Sequence, residues 1–446
     1  MPFSIDKQTL EELNLLGKFR NGSVYSLFSN TKTRGGERML DHMFRHPLTE
    51  ADAINERSRV FQFFQQANLK FPFDVQQVNL MREYLDTKTS KYPVLVFTNT
   101  VVKKILSSLV RDERFKKNIQ GLQATIMTLN KCWDLVESFN LKNSPFDARI
   151  KKIKDILSER KIEKIRNTDI YKDLTTKTLA FYDTILKGKF YQQMTAVLSF
   201  IYEVDVNITI SEAAAKRGFC YANALAPEIN IFSVTDVFHP CINNAVGNNI
   251  QLDKKGNVLF LTGANMAGKS TLMKAIGVSL YLAHMGFPIA ARSMEFSVRE
   301  GLYTSINVAD DIGMGYSHFY AEVVRVKRAA EAAALGKRLM LMFDELFKGT
   351  NVKDAFDGTL AVTEGFADYK QCLFIVSTHI IEVGEALKGR PNIQFAYMPT
   401  VMDGPHPRYT YQLKEGITED RQGMMIIRNE GILELLNAGI PGQLIG

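Results

Sequence analysis

The sequence has no closely spaced cysteines. Cys132, Cys220, Cys241 and Cys372 stand far apart, which excludes the paired spacing of a zinc site and reads as buried thiols in a reducing compartment. A charged-then-apolar leader is also missing, and the expected location is cytoplasmic. The longest mainly apolar run, 277–291, is interrupted by His284 and Pro288, too short to span a bilayer, so no membrane partner is expected. Internal repeats and low-complexity tracts are absent. No Gly/Ser linker separates the two halves, which suggests domains packed to transmit movement.

What is present is ordinary in bulk. A chain of 446 residues, 46% hydrophobic and 23% charged, has the balance of a globular protein of two or three domains. Residues 1–215 read as mostly helix, with long amphipathic runs such as Thr178 to Tyr202. Residues 216–446 open with short β-rich segments around Pro227 and Pro240, then alternate strands with helices. The fold class is therefore α/β plus all-α, a helical domain ahead of a parallel-rich sheet covered on both faces.

Charge is uneven. From Lys103 to Lys189 there are 20 Lys and Arg against 11 Asp and Glu, about +9, so the rest of a +7 chain is about −2. Ile150, Ile153 and Leu157 recur at helical spacing, with Lys151, Lys152, Lys154, Arg160, Lys161 and Lys164 around them. A solvated face interleaved with Glu159 and Glu163 is one reading; a phosphate-binding limb is the other. Aromatic interleaving is thin, which argues against a single-strand stacking platform.

The chemistry concentrates in three strand ends. Gly263, Ala264, Asn265, Met266, Ala267, Gly268, Lys269 and Ser270 fit G-x-x-x-x-G-K-[ST]. The apolar run Val258–Thr262 leads in and a helix opening with Thr271 leads out. That context suits a loop whose amides and helix N-terminus face nucleotide phosphates. Lys269 would reach the β- and γ-phosphates and Ser270 would ligate Mg²⁺. A second apolar run, Leu339–Phe343, ends in Asp344 and Glu345, two carboxylates costly to bury unpaired. Asp344 can hold the Mg²⁺ water shell and Glu345 can deprotonate an attacking water, which favours hydrolysis. A third run, Cys372–Thr378, ends in His379. It is placed to sense the γ-phosphate or polarise the water, or else serves the structure.

With Phe343-Asp-Glu-Leu-Phe-Lys-Gly-Thr350 and Ser377-Thr-His379, the loop Gly263–Thr271 resembles the ATPase domain of the MutS mismatch-recognition family. Gly315-Tyr-Ser-His-Phe-Tyr-Ala-Glu322 resembles that family's signature segment, where a serine, here Ser317, reaches the other subunit's γ-phosphate. Asp354 matches an Asp at the family's dimer contact. His239-Pro240 and Val246–Ile250 resemble the segment near the adenine, and Asn265 matches an Asn that contacts the γ-phosphate or the water. Ile5-Asp6, Ser26-Leu27, Thr31-Lys-Thr33, Gly36-Glu-Arg38 and Pro47-Leu48 resemble the start of the family's helical lever, or core, domain. The resemblance implies a P-loop, ABC-type ATPase domain, ATP and Mg²⁺ as cofactors, a homodimer, and double-stranded or branched DNA as partner in repair or recombination. Catalysis would rest on Lys269, Glu345, His379 and the partner-directed Ser317.

Several departures qualify it. The chain starts at the lever segment, so the mismatch-reading and connector domains are expected to be missing, and no C-terminal nuclease extension is seen. Ala267, His318, Phe347-Lys348 and Ala355 replace residues common in the family. The expected mechanism is a nucleotide-driven dimer that releases its interface when hydrolysis removes the γ-phosphate. The alternative is a nucleotide switch that docks proteins through its basic helices. A chromosome-maintenance type of ATPase would need an L-S-G-G-Q-like signature and a long heptad coiled coil, and neither is found.

Overall fold

The computed structural model describes residues 2–17, 22–87, 98, 100–102, 104, 114–139, 144–170, 172, 175–306, 318–403, 406–418 and 431–438. The chain forms two compact units, one of residues 28–45 and 59–215, the other of 1–27, 46–58 and 216–446. This division differs from a single cut after residue 215. The N-terminal residues group with the α/β unit because Ser4–Ile5 forms a strand of its sheet.

The helical unit contains the helices Arg34–Arg45, Val75–Asp86, Arg114–Ser138, Asp147–Leu157, Arg160–Arg166 and Thr176–Thr184, with most of Ala51–Ala67 and Tyr191–Arg217. Its core is aliphatic and aromatic: Phe64, Met81, Leu122, Leu129, Phe146, Leu157 and Ile201 are all buried. Periodicity predicts one run from Thr178 to Tyr202, but the helix is interrupted by a π-helical turn at Ile185–Lys189. There Lys187 sits 3.7 Å over the Tyr84 ring and 3.4 Å from the Asp183 carboxylate. Tyr191–Arg217 is long and apolar enough to cross a membrane, yet most of its apolar stretch is buried inside the protein. It also carries the fully buried Asp205, whose carboxylate accepts from Lys32 N, Thr33 N and the Thr33 hydroxyl.

The α/β unit is built on a seven-stranded sheet. In chain order its strands are β1 (Ser4–Ile5), β2 (Val258–Gly263), β3 (Gly301–Ser305), β4 (Leu339–Asp344), β5 (Leu373–Ser377), β6 (Ile393–Met398) and β7 (Lys414–Glu415). Their order across the sheet is β1-β3-β4-β5-β2-β6-β7, parallel throughout except for the antiparallel β7 edge. Strands β2, β4 and β5 are buried at every position, as strands with both faces covered must be. The covering helices are α1 (Lys7–Glu12), α2 (Lys269–His284), α3 (His318–Ala334), α4 (Val352–Ala367) and α5 (Ile381–Leu387). A four-stranded sheet from 223–297 also lies in this unit. The thiols divide: Cys132 and Cys372 are buried as expected, whereas Cys220 and Cys241 are only half-buried.

The N-terminus is tied in by charge as well as by pairing. The Arg325 guanidinium, on α3, meets Asp6 at 2.8 Å and also donates to Gln8 and the Thr9 hydroxyl. Burial pushes the Asp6 carboxyl up, but Arg325 and Thr9 hold it below the usual carboxylate range.

Candidate functional site

Chain order reverses direction across β2, which lies between β5 and β6. In open parallel sheets such a reversal opens a crevice at the strand C-termini. The three strand ends singled out from the sequence lie there.

β2 finishes at Gly263 (φ +139), and the loop to α2 turns through Met266 (φ +68) and Gly268 (φ +107). A Cβ on Gly268 would meet the Tyr411 ring at 3.0 Å and the Met398 sulfur at 3.3 Å. The loop thus needs glycine there both for its dihedral and for its close approach. Lys269, only 5% exposed, turns back so that its Nζ donates to Gly263 O (2.8 Å) and Ala264 O (3.0 Å). Burial lowers its pKa, and the Asp344 and Glu345 carboxylates oppose that.

The first turn of α2 meets the end of β4. Ser270 Oγ donates to Asp344 Oδ2 at 2.5 Å. The other oxygen, Oδ1, is buried without a well-formed hydrogen bond, although the Ser377 hydroxyl is near enough to favour the ionised form. Burial raises the Asp344 pKa; the Ser270 and Ser377 hydroxyls counter it, Glu345 adds to it and Lys269 counters it. A buried carboxylate with one orphaned oxygen, beside a hydroxyl, is the hard-oxygen donor set that Mg²⁺ takes when phosphates and water complete its shell. The residues fit such an ion.

Glu345 follows in the left-handed region (φ +54), and Phe347 is left-handed too (φ +63). Two such non-glycine residues in three positions store strain of about 1–3 kcal/mol each, a cost that concentrates at functional sites. The Glu345 amide is pinned to Ser377 O at 2.8 Å. Its carboxylate stands 3.8 Å from His379 Nδ1 and 3.7 Å from Lys348 Nζ. His379 is about half exposed and is not among the residues that line the neighbouring cavity.

A cavity of about 670 Å³ runs outward from this loop, within the range of small-ligand sites. Asn265, Gly268, Lys269, Ser270, Thr271 and Glu345 line it, together with His239, Val246 and Asn248. Segments read separately from the sequence therefore share one pocket. Sequence reasoning missed Met398 and Tyr411, which also line it. Tyr411 is held by Asn248, whose amide donates to Tyr411 O and accepts from Leu413 N. Burial, with Lys274 adding to it, lowers the His239 pKa and favours a neutral ring.

Asp354 lies exposed at the start of α4, its amide donating to the capping Asn351 side chain. Ser317 lies outside the described residues, as do Gly315 and Tyr316.

The basic helices of the other unit separate into structural and free cations. Ile150, Ile153, Leu157, Ile162 and Ile165 are buried on one side. Arg166 is buried too, stacked 4.2 Å over Trp133 and bonded to Asn130 and Leu157 O. Lys154 pairs with Glu137 and Arg149 with Glu203. Glu159 caps its helix by accepting from Lys161 N and Ile162 N. Lys151, Lys152, Arg160, Lys161 and Lys164 remain exposed, with no carboxylate within ion-pair distance among the described residues.

Two family models match this chain: MutS domain III over residues 8–219 and MutS domain V over residues 259–437. Similar proteins include the "DNA mismatch repair protein MutS" of Fusobacterium nucleatum, 23% identical over 400 residues, covering 83% of this chain and 42% of that protein. The protein of the same name from Pseudothermotoga lettingae is 22% identical over 533 residues, covering 99% of this chain and 63% of that protein. The chain thus spans about half the length of the relatives it matches.

Proposed function

The chain belongs to the MutS family, and from that premise we propose that it is a Mg²⁺-dependent P-loop ATPase that acts on DNA as a nucleotide-driven dimer. The observation that carries this reading is the meeting of Lys269, Ser270 and Glu345 in the lining of one pocket, with Asp344 bonded to Ser270 behind them.

In this reading ATP lies along the pocket, its base toward His239, Val246 and Tyr411 and its phosphates on the loop 263–271. Lys269 leaves the two carbonyls that now hold it and binds the β- and γ-phosphate oxygens. Ser270 and Asp344 would hold Mg²⁺, which when bound offsets the charge of those phosphates. Asn265 contacts the γ-phosphate or the attacking water. Glu345 accepts a proton from that water as its oxygen attacks the γ-phosphorus; the bond to the bridging oxygen breaks, leaving ADP and phosphate. His379, within 3.8 Å of Glu345, orients the water or senses the γ-phosphate. Ser317 completes the site of a second subunit, so that hydrolysis releases the dimer interface.

DNA enters this proposal through two supports. The similar proteins carry the name DNA mismatch repair protein, and the helical unit carries exposed lysines suited to a phosphate backbone. The DNA proposed as its partner is duplex, mismatched or branched, in repair or recombination. The enzymatic half is tested by phosphate release from ATP with Mg²⁺ and with EDTA. Mg²⁺-dependent release is expected; release equal in both would remove the assignment.

A further inference from the structure

The carboxylate that the proposed chemistry leaves unused is Glu322. It lies on α3, is only 2% exposed, and its Oε2 accepts the Phe347 amide at 2.9 Å. Phe347 ends the strained turn that begins at Glu345, so the turn is held from two sides: Ser377 O takes the Glu345 amide and Glu322 takes the Phe347 amide. Without that acceptor a buried amide would be left unsatisfied beside two left-handed residues, and the turn would relax. Packing reinforces the same junction. The Phe319 and Phe347 rings meet edge-on at 5.9 Å, and a Cβ on Gly349 would lie 3.3 Å from Phe319.

Lys348 directly follows the strained turn. Its Nζ lies 3.7 Å from Glu345 Oε2, and its charge also favours ionised Glu322. The nearby cation of the same helix, Arg325, cannot replace it, being committed to Asp6, Gln8 and Thr9. Beyond Glu345 stands His379.

We propose that Glu322 is a positioning residue for hydrolysis, fixing the Glu345–Phe347 turn that presents Glu345. This rests on the ATPase reading above and deepens it. Ionised Glu322 holds the Phe347 amide in a charge-assisted hydrogen bond; neutral Glu322 holds it more weakly, and the turn that presents Glu345 loosens. Burial pushes the Glu322 carboxyl up to about 7, with the Phe347 amide and Lys348 opposing. That change in grip would therefore fall near neutral pH.

The test is steady-state ATP hydrolysis by the full chain from pH 5.5 to 8.5, with affinity for a fluorescent ATP analogue measured alongside. Wild type is compared with Glu322→Gln, which keeps an acceptor for the amide but no charge, and with Glu322→Ala, which keeps neither. Expected for Glu322→Gln are unchanged analogue affinity, kcat at pH 8 lower by about tenfold, and loss of the acid limb near pH 7 seen in wild type. Glu322→Ala should lose more kcat at the same affinity. A Glu322→Gln protein with wild-type kcat and an intact limb would overturn the proposal. So would parallel losses of affinity, kcat and thermal stability in both variants, since those mark a purely structural role. If wild type itself shows no turnover, the ATPase reading fails and this proposal with it.

Discussion

Ser270 Oγ, in the first turn of one helix, donates to Asp344 Oδ2 at the end of a strand 74 residues further along the chain, at 2.5 Å. Neither residue is informative alone. Their meeting sets a hydroxyl that lines a pocket beside the glycine–lysine loop against a partly orphaned buried carboxylate.

Lys269→Ala removes the only side chain that bonds both Gly263 O and Ala264 O among the described residues. The expected outcome is loss of tight nucleotide binding, at least about a hundredfold in Kd, since a buried cation that meets phosphate charge makes strong hydrogen bonds. Equilibrium binding of a fluorescent ATP analogue measures it, and thermal melting checks that the variant is folded.

Glu345→Ala removes the base but leaves Lys269, Ser270 and Asp344 in place. ATP binding should persist while turnover falls by about 10²-fold or more, trapping the ATP state. Single-turnover hydrolysis separates the two effects. Unchanged turnover would remove the role assigned to Glu345.

These residues were legible because parallel strands buried on both faces are written as continuous apolar runs. Val258–Thr262 and Leu339–Phe343 are each one residue short of the strands found, and Cys372–Thr378 is one longer at each end. What the sequence hid is set by distant partners. Ser4–Ile5 is too short for any periodicity, and only its pairing with Gly301–Leu302 makes it a strand. Tyr411 enters the pocket because Asn248 holds its carbonyl. Glu322 was visible only as part of a motif, since its role depends on the backbone amide of Phe347. Charge counting found the basic run but could not tell Arg166, stacked on Trp133, from the exposed Lys161.

Replacing Lys151, Lys152, Lys161 and Lys164 with Glu should weaken DNA binding at low salt by at least about tenfold. The dependence of log Kd on log salt should also become shallower, by about 0.9 for each duplex phosphate no longer neutralised. Titration of labelled duplex at several salt concentrations measures both. An unaltered slope would make these helices a solvated or protein-docking face.

His284 gives a pH signature unrelated to catalysis. Burial pushes its pKa down to about 4, with Leu48 O opposing and Arg299 adding to the shift. The unfolded chain binds a proton near pH 6.5 and the folded chain resists it, so this stability is present above about 6.5 and is lost as pH falls toward 4. The loss from this one group is on the order of 3 kcal/mol. Urea unfolding from pH 8 to pH 4 should show the decline, and His284→Phe should start lower but flatten its slope over that window.

The central claim joins nucleotide state to DNA, and fluorescence anisotropy tests it most directly. Labelled matched duplex, mismatched duplex, four-way junction and single strand would be titrated at two salt concentrations, with ADP or a non-hydrolysable ATP analogue. The predicted result is salt-sensitive binding to a duplex or branched DNA that changes with the nucleotide. Binding to none of them, or binding indifferent to nucleotide, would contradict it.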